Sequence, residues 1–340
     1  MIPSVRTARA VVVDGPRAHR LVSGPVAEPA AGEVRVAVAA ALVDPADRAV
    51  YEGRADGSPI RYPVTPGREW SGTVEAVGAG VTERLLGRAV AGRTEPGGCL
   101  TCARCREGSS HLCARPSGRP GPGAFADVLV LPAEHLHTLP DGSDRPAAAL
   151  LGRAAVAAGA ALAGAPVPGE RVAVHGADTL GLLAVQLLAA SSPGELVVVD
   201  RRARRLEQAL GLGADRTVEP AESSVWHGRC DLVVETAGEP ESAHGASLLA
   251  RPGGRVVLAG RPGAGARGLD PVRLASHALT VRTVPTAAPA AWTHAVRAFR
   301  LGRLRAEQLV GHAYPLADFG AAMSPSDGGR PRTGAVLLRP

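Results

Sequence analysis

Residues 171–186, RVAVHGADTLGLLAVQ, place a glycine turn between a short apolar run and a longer one with helical character. A strand leading through glycines into a helix is the context in which a backbone turn can cradle a dinucleotide pyrophosphate. The pattern repeats downstream: ELVVVD (195–200), RRLEQALGLGA (204–214), CDLVVETAG (230–238) and GGRVVLAG (253–260) alternate strand-like and helical stretches. Such alternation implies parallel strands with crossover helices. LTVRTVP (279–285) closes the run, and AWTHAVRAFRLGRL (291–304) reads as an amphipathic helix. Upstream of about residue 150 the reading changes to short strands broken by Gly and Pro, among them ARAVVVDG (8–15), GEVRVAVAAALV (32–43), WSGTVEAVG (70–78) and AFADVLVLP (124–132). The expected fold is therefore α/β, a mostly β domain joined to a parallel sheet with crossover helices. At 340 residues the chain is long for one hydrophobic core.

Within the turn, Gly176 and Gly181 hold the first and last positions of G-x-G-x-x-G, with Thr179 and Leu180 between them, while Asp178 takes the middle position. A carboxylate there adds bulk and like-charge repulsion where backbone normally approaches the pyrophosphate, so weak or displaced binding is expected. Asp200 ends the next strand, where an acid accepts hydrogen bonds from the adenosine ribose and repels a ribose phosphate. This favours NAD(H) over NADP(H). Arg201, Arg202, Arg204 and Arg205 follow and pull the other way; a solvated helix face is their plainer explanation.

A second motif lies at 99–113, CLTCARCREGSSHLC, where Cys99, Cys102, Cys105 and Cys113 have the C-x2-C-x2-C-x7-C spacing of a four-thiolate zinc lobe. Four thiolates leave no open coordination position, so one structural zinc is expected from a lobe at about 97–115. Two disulfides are the alternative, less suited to clustered cysteines in a chain this long. Cys230, before an apolar run, reads as a buried thiol.

Composition removes several function classes. The 38 basic residues are all arginine, scattered among 32 acidic ones, so the net charge of +6 argues for no nucleic-acid partner. With no lysine in the chain, a Schiff base or a Tyr-Lys proton-transfer pair is excluded. No apolar run is long enough to span a membrane and the amino terminus makes a poor signal peptide, so a cytoplasmic protein with a small-molecule substrate is expected.

The thiolate lobe, PGREWSGTVEAVG (66–78), the strand-turn-helix, CDLVVETAG, RPGGRVVLAG (251–260) and HAYPLADFGAAM (312–323) together resemble the medium-chain dehydrogenase/reductase superfamily, specifically its zinc-containing alcohol dehydrogenase family, over nearly the whole chain. YPVTPGREWSG (62–72) is similar to polyol and aminocyclitol dehydrogenases, while its PGREWSG part (66–72) and the DPAD segment (44–47) are also similar to zinc-free quinone and enoyl reductases. The resemblance implies a GroES-like catalytic domain over 1–152, a Rossmann domain over 153–286, and a return to the catalytic domain over 287–340, with substrate in the cleft and a homodimer or homotetramer. It also assigns positions. The family's first catalytic-zinc ligand, in C-x-[ST]-D, falls on Asp44, with Ala46 replacing the relay hydroxyl. The second, the His of G-H-E, falls on Arg68, and the third on Gly152.

Arginine keeps its proton and offers no lone pair, so a catalytic zinc is not expected. Arg68 then becomes the candidate for polarising the substrate, oriented by Asp44, Asp47 and Glu69; a salt-bridged plug filling the old metal site is an equal alternative. Tyr51 is a candidate proton donor, or a packing residue at the cleft edge. The implied activity is metal-independent, NAD(P)H-linked hydride transfer to an activated C=C, C=N or C=O bond of a small specialised metabolite. A polyol or cyclitol dehydrogenase, a redox-inactive binding protein and a non-redox enzyme on the same fold are the alternatives.

Overall fold

The computed structural model describes residues 6–54, 60–94, 98, 99, 101–115, 122–263, 265–324, 326, 327, 330, 331 and 333–340. The chain divides into two compact units, Met1–Gly152 with Ala306–Pro340, and Arg153–Arg305.

The first unit is built on a seven-stranded sheet. Its order is Val310–Pro315, Ala335–Arg339, Glu33–Val43, Glu69–Val77, Ala89–Arg93 and Leu136–Thr138, with Val128–Pro132 paired to the first half of Glu33–Val43. In Glu33–Val43, Val34, Val36, Val38 and Ala40 alternate inward while their neighbours are partly exposed, the period-2 signature of a half-buried strand. Beyond Ala40 the strand is buried on both faces, and it delivers Asp44 to the start of the helix Pro45–Glu52. Trp70, Phe125, Phe319, Leu129 and Leu131 fill the core. Trp70 is fully buried, so it belongs to packing.

The second unit carries six parallel strands in the order Arg216–Val218, Glu195–Val199, Arg171–His175, Cys230–Glu235, Ala250–Leu258 and Thr280–Thr283. The order reverses between Arg171–His175 and Cys230–Glu235, and in such sheets ligands bind outside the carboxyl ends of the strands at that switch point. The central strands are buried runs of Val, Leu and Ala, as strands covered on both faces must be.

The carboxy-terminal return begins at Ala306 and not at 287. The helix Pro289–Arg300 stays with the second unit because its buried face, including Ala291, Trp292 and Ala295, packs there. Gly159, on the helix Leu151–Gly164, approaches Val284 and Ala291 so closely that a Cβ would stand 3.0 Å from Val284 Cγ1.

Candidate active site and cofactor-binding turn

The cysteine lobe forms from a short helix, Ala103–Arg106, and a single turn at Ser110–Leu112, which bring four separated thiols together. The Sγ atoms of Cys99, Cys102, Cys105 and Cys113 all lie within 4.8 Å of one another. Backbone amides point at the sulfurs: Cys99 and Arg115 donate to Cys113 Sγ, and Cys102 donates to Cys99 Sγ, each at 3.4 Å. Hydrogen bonds from Thr101 and Cys102 pull the Cys99 thiol down to about 5. Four converging sulfurs with donors aimed at them fit a closed tetrahedral zinc site, which would staple this lobe and leave no position for substrate.

The positions at which the family carries catalytic ligands lie elsewhere in the same unit. Asp44 caps the helix Pro45–Glu52: its Oδ1 accepts from the amides of Ala46 at 2.7 Å and Asp47 at 2.9 Å. Asp47 completes a capping box by accepting from the Asp44 amide at 3.0 Å, and its other oxygen accepts from the Gly67 amide at 3.1 Å. Gly67 has φ 98, and a Cβ there would collide with Phe125, so glycine is required just before Arg68. Arg68 Nη2 donates to Asp44 Oδ2, forming an ion pair in which Asp44 is buried and Arg68 is one-third exposed. Burial and the adjacent Asp44 charge hold the Asp47 carboxyl well above the usual range.

Glu69 is buried, with Arg93 Nη2 4.0 Å from its Oε1. Gly152 presses against the same side chain; a Cβ there would stand 2.6 Å from Glu69 Cδ and 2.8 Å from Oε2. The structure thus brings Asp44 and Arg68 together, and sets Gly152 against Glu69, the residue following Arg68. Tyr51 is directed differently. Its hydroxyl lies 3.3 Å from the Arg17 carbonyl and 3.3 Å from His19 Nδ1, and its ring packs edge-on to Phe319.

In the second unit Gly176 sits at φ 108, and a Cβ there would lie 2.8 Å from both Thr236 Oγ1 and the Ala237 amide nitrogen. Gly181 approaches the Gly176 carbonyl so tightly that a Cβ would lie 2.0 Å from it. Both glycine positions therefore meet the steric demands of the dinucleotide turn. Asp178 does not stand out as a bare repelling charge. It is the N-cap of the helix Thr179–Ala189, its Oδ1 accepting from the Gly181 amide at 3.0 Å. The carboxylate turns onto its own helix because the first-turn amides lack backbone partners. It consequently occupies one of the donors that would otherwise face an anion.

Asp200 is nearly buried and braces the turn: Oδ2 accepts from the Ala177 amide at 2.7 Å and Oδ1 from the Arg202 amide at 2.8 Å. Arg205 Nη1 lies 3.7 Å from Asp200 Oδ2. Arg201 Nη2 meets Glu239 Oε1 at 2.5 Å, so Arg201 and Arg205 are each set against a carboxylate and are more than a bare solvated helix face. Thr236 Oγ1 donates to the Gly176 carbonyl at 2.9 Å, and Glu235 Oε1 accepts from the Gly238 amide at 2.7 Å. Burial pushes the Glu235 carboxyl up. Thr236, Glu235, Glu239 and Arg93 escaped the sequence reading. An acid ending the apolar run CDLVVE was the one signal for Glu235.

Residues 30–141 match the family described as the alcohol dehydrogenase GroES-like domain, and residues 179–300 match the zinc-binding dehydrogenase family. Sorbitol dehydrogenase of Bacillus subtilis strain 168 is 30% identical over 270 residues, 75% of each chain. The chain belongs to the medium-chain dehydrogenase/reductase superfamily, in its zinc-containing alcohol dehydrogenase family. The starvation-sensing protein RspB of Escherichia coli K12 is 29% identical over 262 residues, 74% of this chain and 76% of that one. The solved structure of an alcohol dehydrogenase, rspB of E. coli CFT073, complexed with NADH, is similar over 98% of this chain and 99% of that one, with a TM-score of 0.87 and 25% identity. As a member of this family, the chain combines a GroES-like domain with a Rossmann unit suited to a nicotinamide dinucleotide. Among the described residues no helix is long and apolar enough to cross a membrane.

Proposed function

We propose that this member of the family is an NAD(P)(H)-dependent oxidoreductase that works without a catalytic metal and acts on an activated C=C, C=N or C=O bond of a small metabolite. The observation that carries the proposal is the Arg68–Asp44 ion pair. Arg68 offers no lone pair at any accessible pH, and Gly152 has no side chain to ligate. Asp44 already spends one oxygen on two cap amides and the other on Arg68, so a metal would have to displace both.

A nicotinamide dinucleotide would be held by its pyrophosphate at Gly176, Thr179, Leu180 and Gly181 and by its adenosine ribose at Asp200, and would supply or accept the hydride. The remaining work falls to the chain. Arg68 is a fixed cation, one-third exposed, whose charge would stabilise an oxygen that gains negative charge during reduction of a conjugated substrate. Asp44 holds the guanidinium in place, so little reorganisation accompanies the charge change, and Asp47 holds the backbone of both Asp44 and Gly67. In this reading the proton that completes the reduction is drawn from solvent.

The test is oxidation of NADH and NADPH against a panel of enones, enals, cyclic imines and ketones, with metal content measured on the same sample. Turnover at one zinc per chain is expected, and Arg68→Gln should lower kcat/KM by about 10²–10³. Two zinc ions per chain would overturn metal independence. A polyol-type alcohol is the second reading for the substrate, favoured by the likeness to sorbitol dehydrogenase; oxidation of a polyol panel in the presence of NAD distinguishes it. A redox-inactive binder is favoured by the Asp178 cap, and absence of any dinucleotide binding would establish it.

A further inference from the structure

The strands Glu195–Val199 and Cys230–Glu235 flank Arg171–His175 in the sheet, so the segments that follow them emerge on either side of the same carboxyl end. Asp200 and Arg201 leave the first strand, and Glu239 follows the second. The Arg201–Glu239 ion pair, at 2.5 Å between residues 38 positions apart, therefore passes over the end of the central strand. His175, the last residue of that strand, feels the charges of both Asp200 and Glu239. Arg205 completes the group beside Asp200.

In this fold the acid ending the second strand meets the adenosine ribose, and the 2′ position is where NAD and NADP differ. Arg201 is the neighbour of that acid and carries the guanidinium that a 2′-phosphate would recruit. We infer that Glu239 is a specificity-determining residue: by engaging Arg201 it withholds the phosphate-binding cation, so that the site takes a dinucleotide without a 2′-phosphate. This rests on reading the unit as a dinucleotide site, and adds a residue that the glycine turn and Asp200 do not account for. Both partners are substantially exposed, 63% for Arg201 and 47% for Glu239, so the lock is modest in strength and sensitive to salt.

The experiment is a fluorescence titration of the full chain and of Glu239→Gln with NADPH and NADH, read as the ratio of the two affinities. The variant should shift that ratio towards NADPH by about 3- to 10-fold at low salt, the range expected when one exposed pair is released and its guanidinium becomes available. The shift should shrink in 0.5 M salt, and adding Arg201→Gln to the variant should abolish it. A repacked loop would show neither dependence. An unchanged ratio, or a shift that survives loss of Arg201, overturns the inference while NADH binding by the parent chain leaves the dinucleotide reading standing. If the parent chain binds neither dinucleotide, both fall.

Discussion

Replacing Arg68 by Gln would take its guanidinium away from the Asp44 carboxylate, which is 3% exposed. Removing one partner of a fully buried pair costs about 3–5 kcal/mol, whereas an exposed pair is worth roughly 0–1 kcal/mol. This pair lies between those limits. Arg68 is 32% exposed, and Asp44 would keep the two amide donors of Ala46 and Asp47. A cost of about 1–3 kcal/mol follows, because charged hydrogen bonds of this kind contribute at that level. For a unit of this size it corresponds to a melting shift of about 2–10 °C.

Asp44→Asn should cost less. Asn caps a helix about as well as Asp, and Arg68 can turn its charge towards water. The double variant should then be more stable than additivity predicts, by about 1 kcal/mol, the signature of direct coupling. Urea unfolding of the four proteins in one buffer measures all three quantities. If Arg68→Gln is neutral and the double variant strictly additive, the pair contributes nothing and the account of the replaced ligand positions is wrong.

Substituting Ser for Cys105 should release the single zinc and lower the unfolding midpoint; retention of stoichiometric metal would show that the four sulfurs are not its ligands. Asp178→Gly should tighten NADH binding by roughly 3- to 10-fold by freeing the Gly181 amide, at a stability cost of a few tenths of a kcal/mol since Gly is an acceptable N-cap. Unchanged affinity in an equilibrium titration would mean that the cap does not compete with the cofactor. Glu235 has a raised folded-state pKa, so its contribution to stability is fully present below the ordinary value of 4.5 and is lost as pH rises through the folded value. Glu235→Gln should remove that slope: the stability of the parent relative to the variant should fall as pH climbs above 4.5, and a flat difference across a urea series would refute it.

Features with a local cause were legible in the sequence. The strand-turn-helix at 171–186 could be recognised because glycines at fixed offsets, between an apolar strand and an apolar helix, answer a steric demand made within a few residues. The cysteine spacing carried the same kind of information, since a short lobe cannot avoid bringing its four thiols together. Identity alone also told that Arg68 and Gly152 offer a metal nothing, because lone-pair chemistry belongs to the residue and not to its surroundings.

Orientation was not legible. The sequence placed a repelling carboxylate at Asp178, and only the folded helix start shows that carboxylate bent back onto the Gly181 amide. Nothing in the sequence near Tyr51 told that Arg17 and His19 would lie 3.3 Å from its hydroxyl. Arg201 is an exposed arginine until the sheet order puts Glu239 within reach, and Gly152 is a blank until its helix meets Glu69. Residue type and short spacing thus determined the family, the metal lobe and the cofactor turn. Which charges face each other, and so which remain available to a substrate or cofactor, was decided by contacts between distant segments, because a carboxylate's partner depends on where the backbone returns and not on its neighbours in sequence.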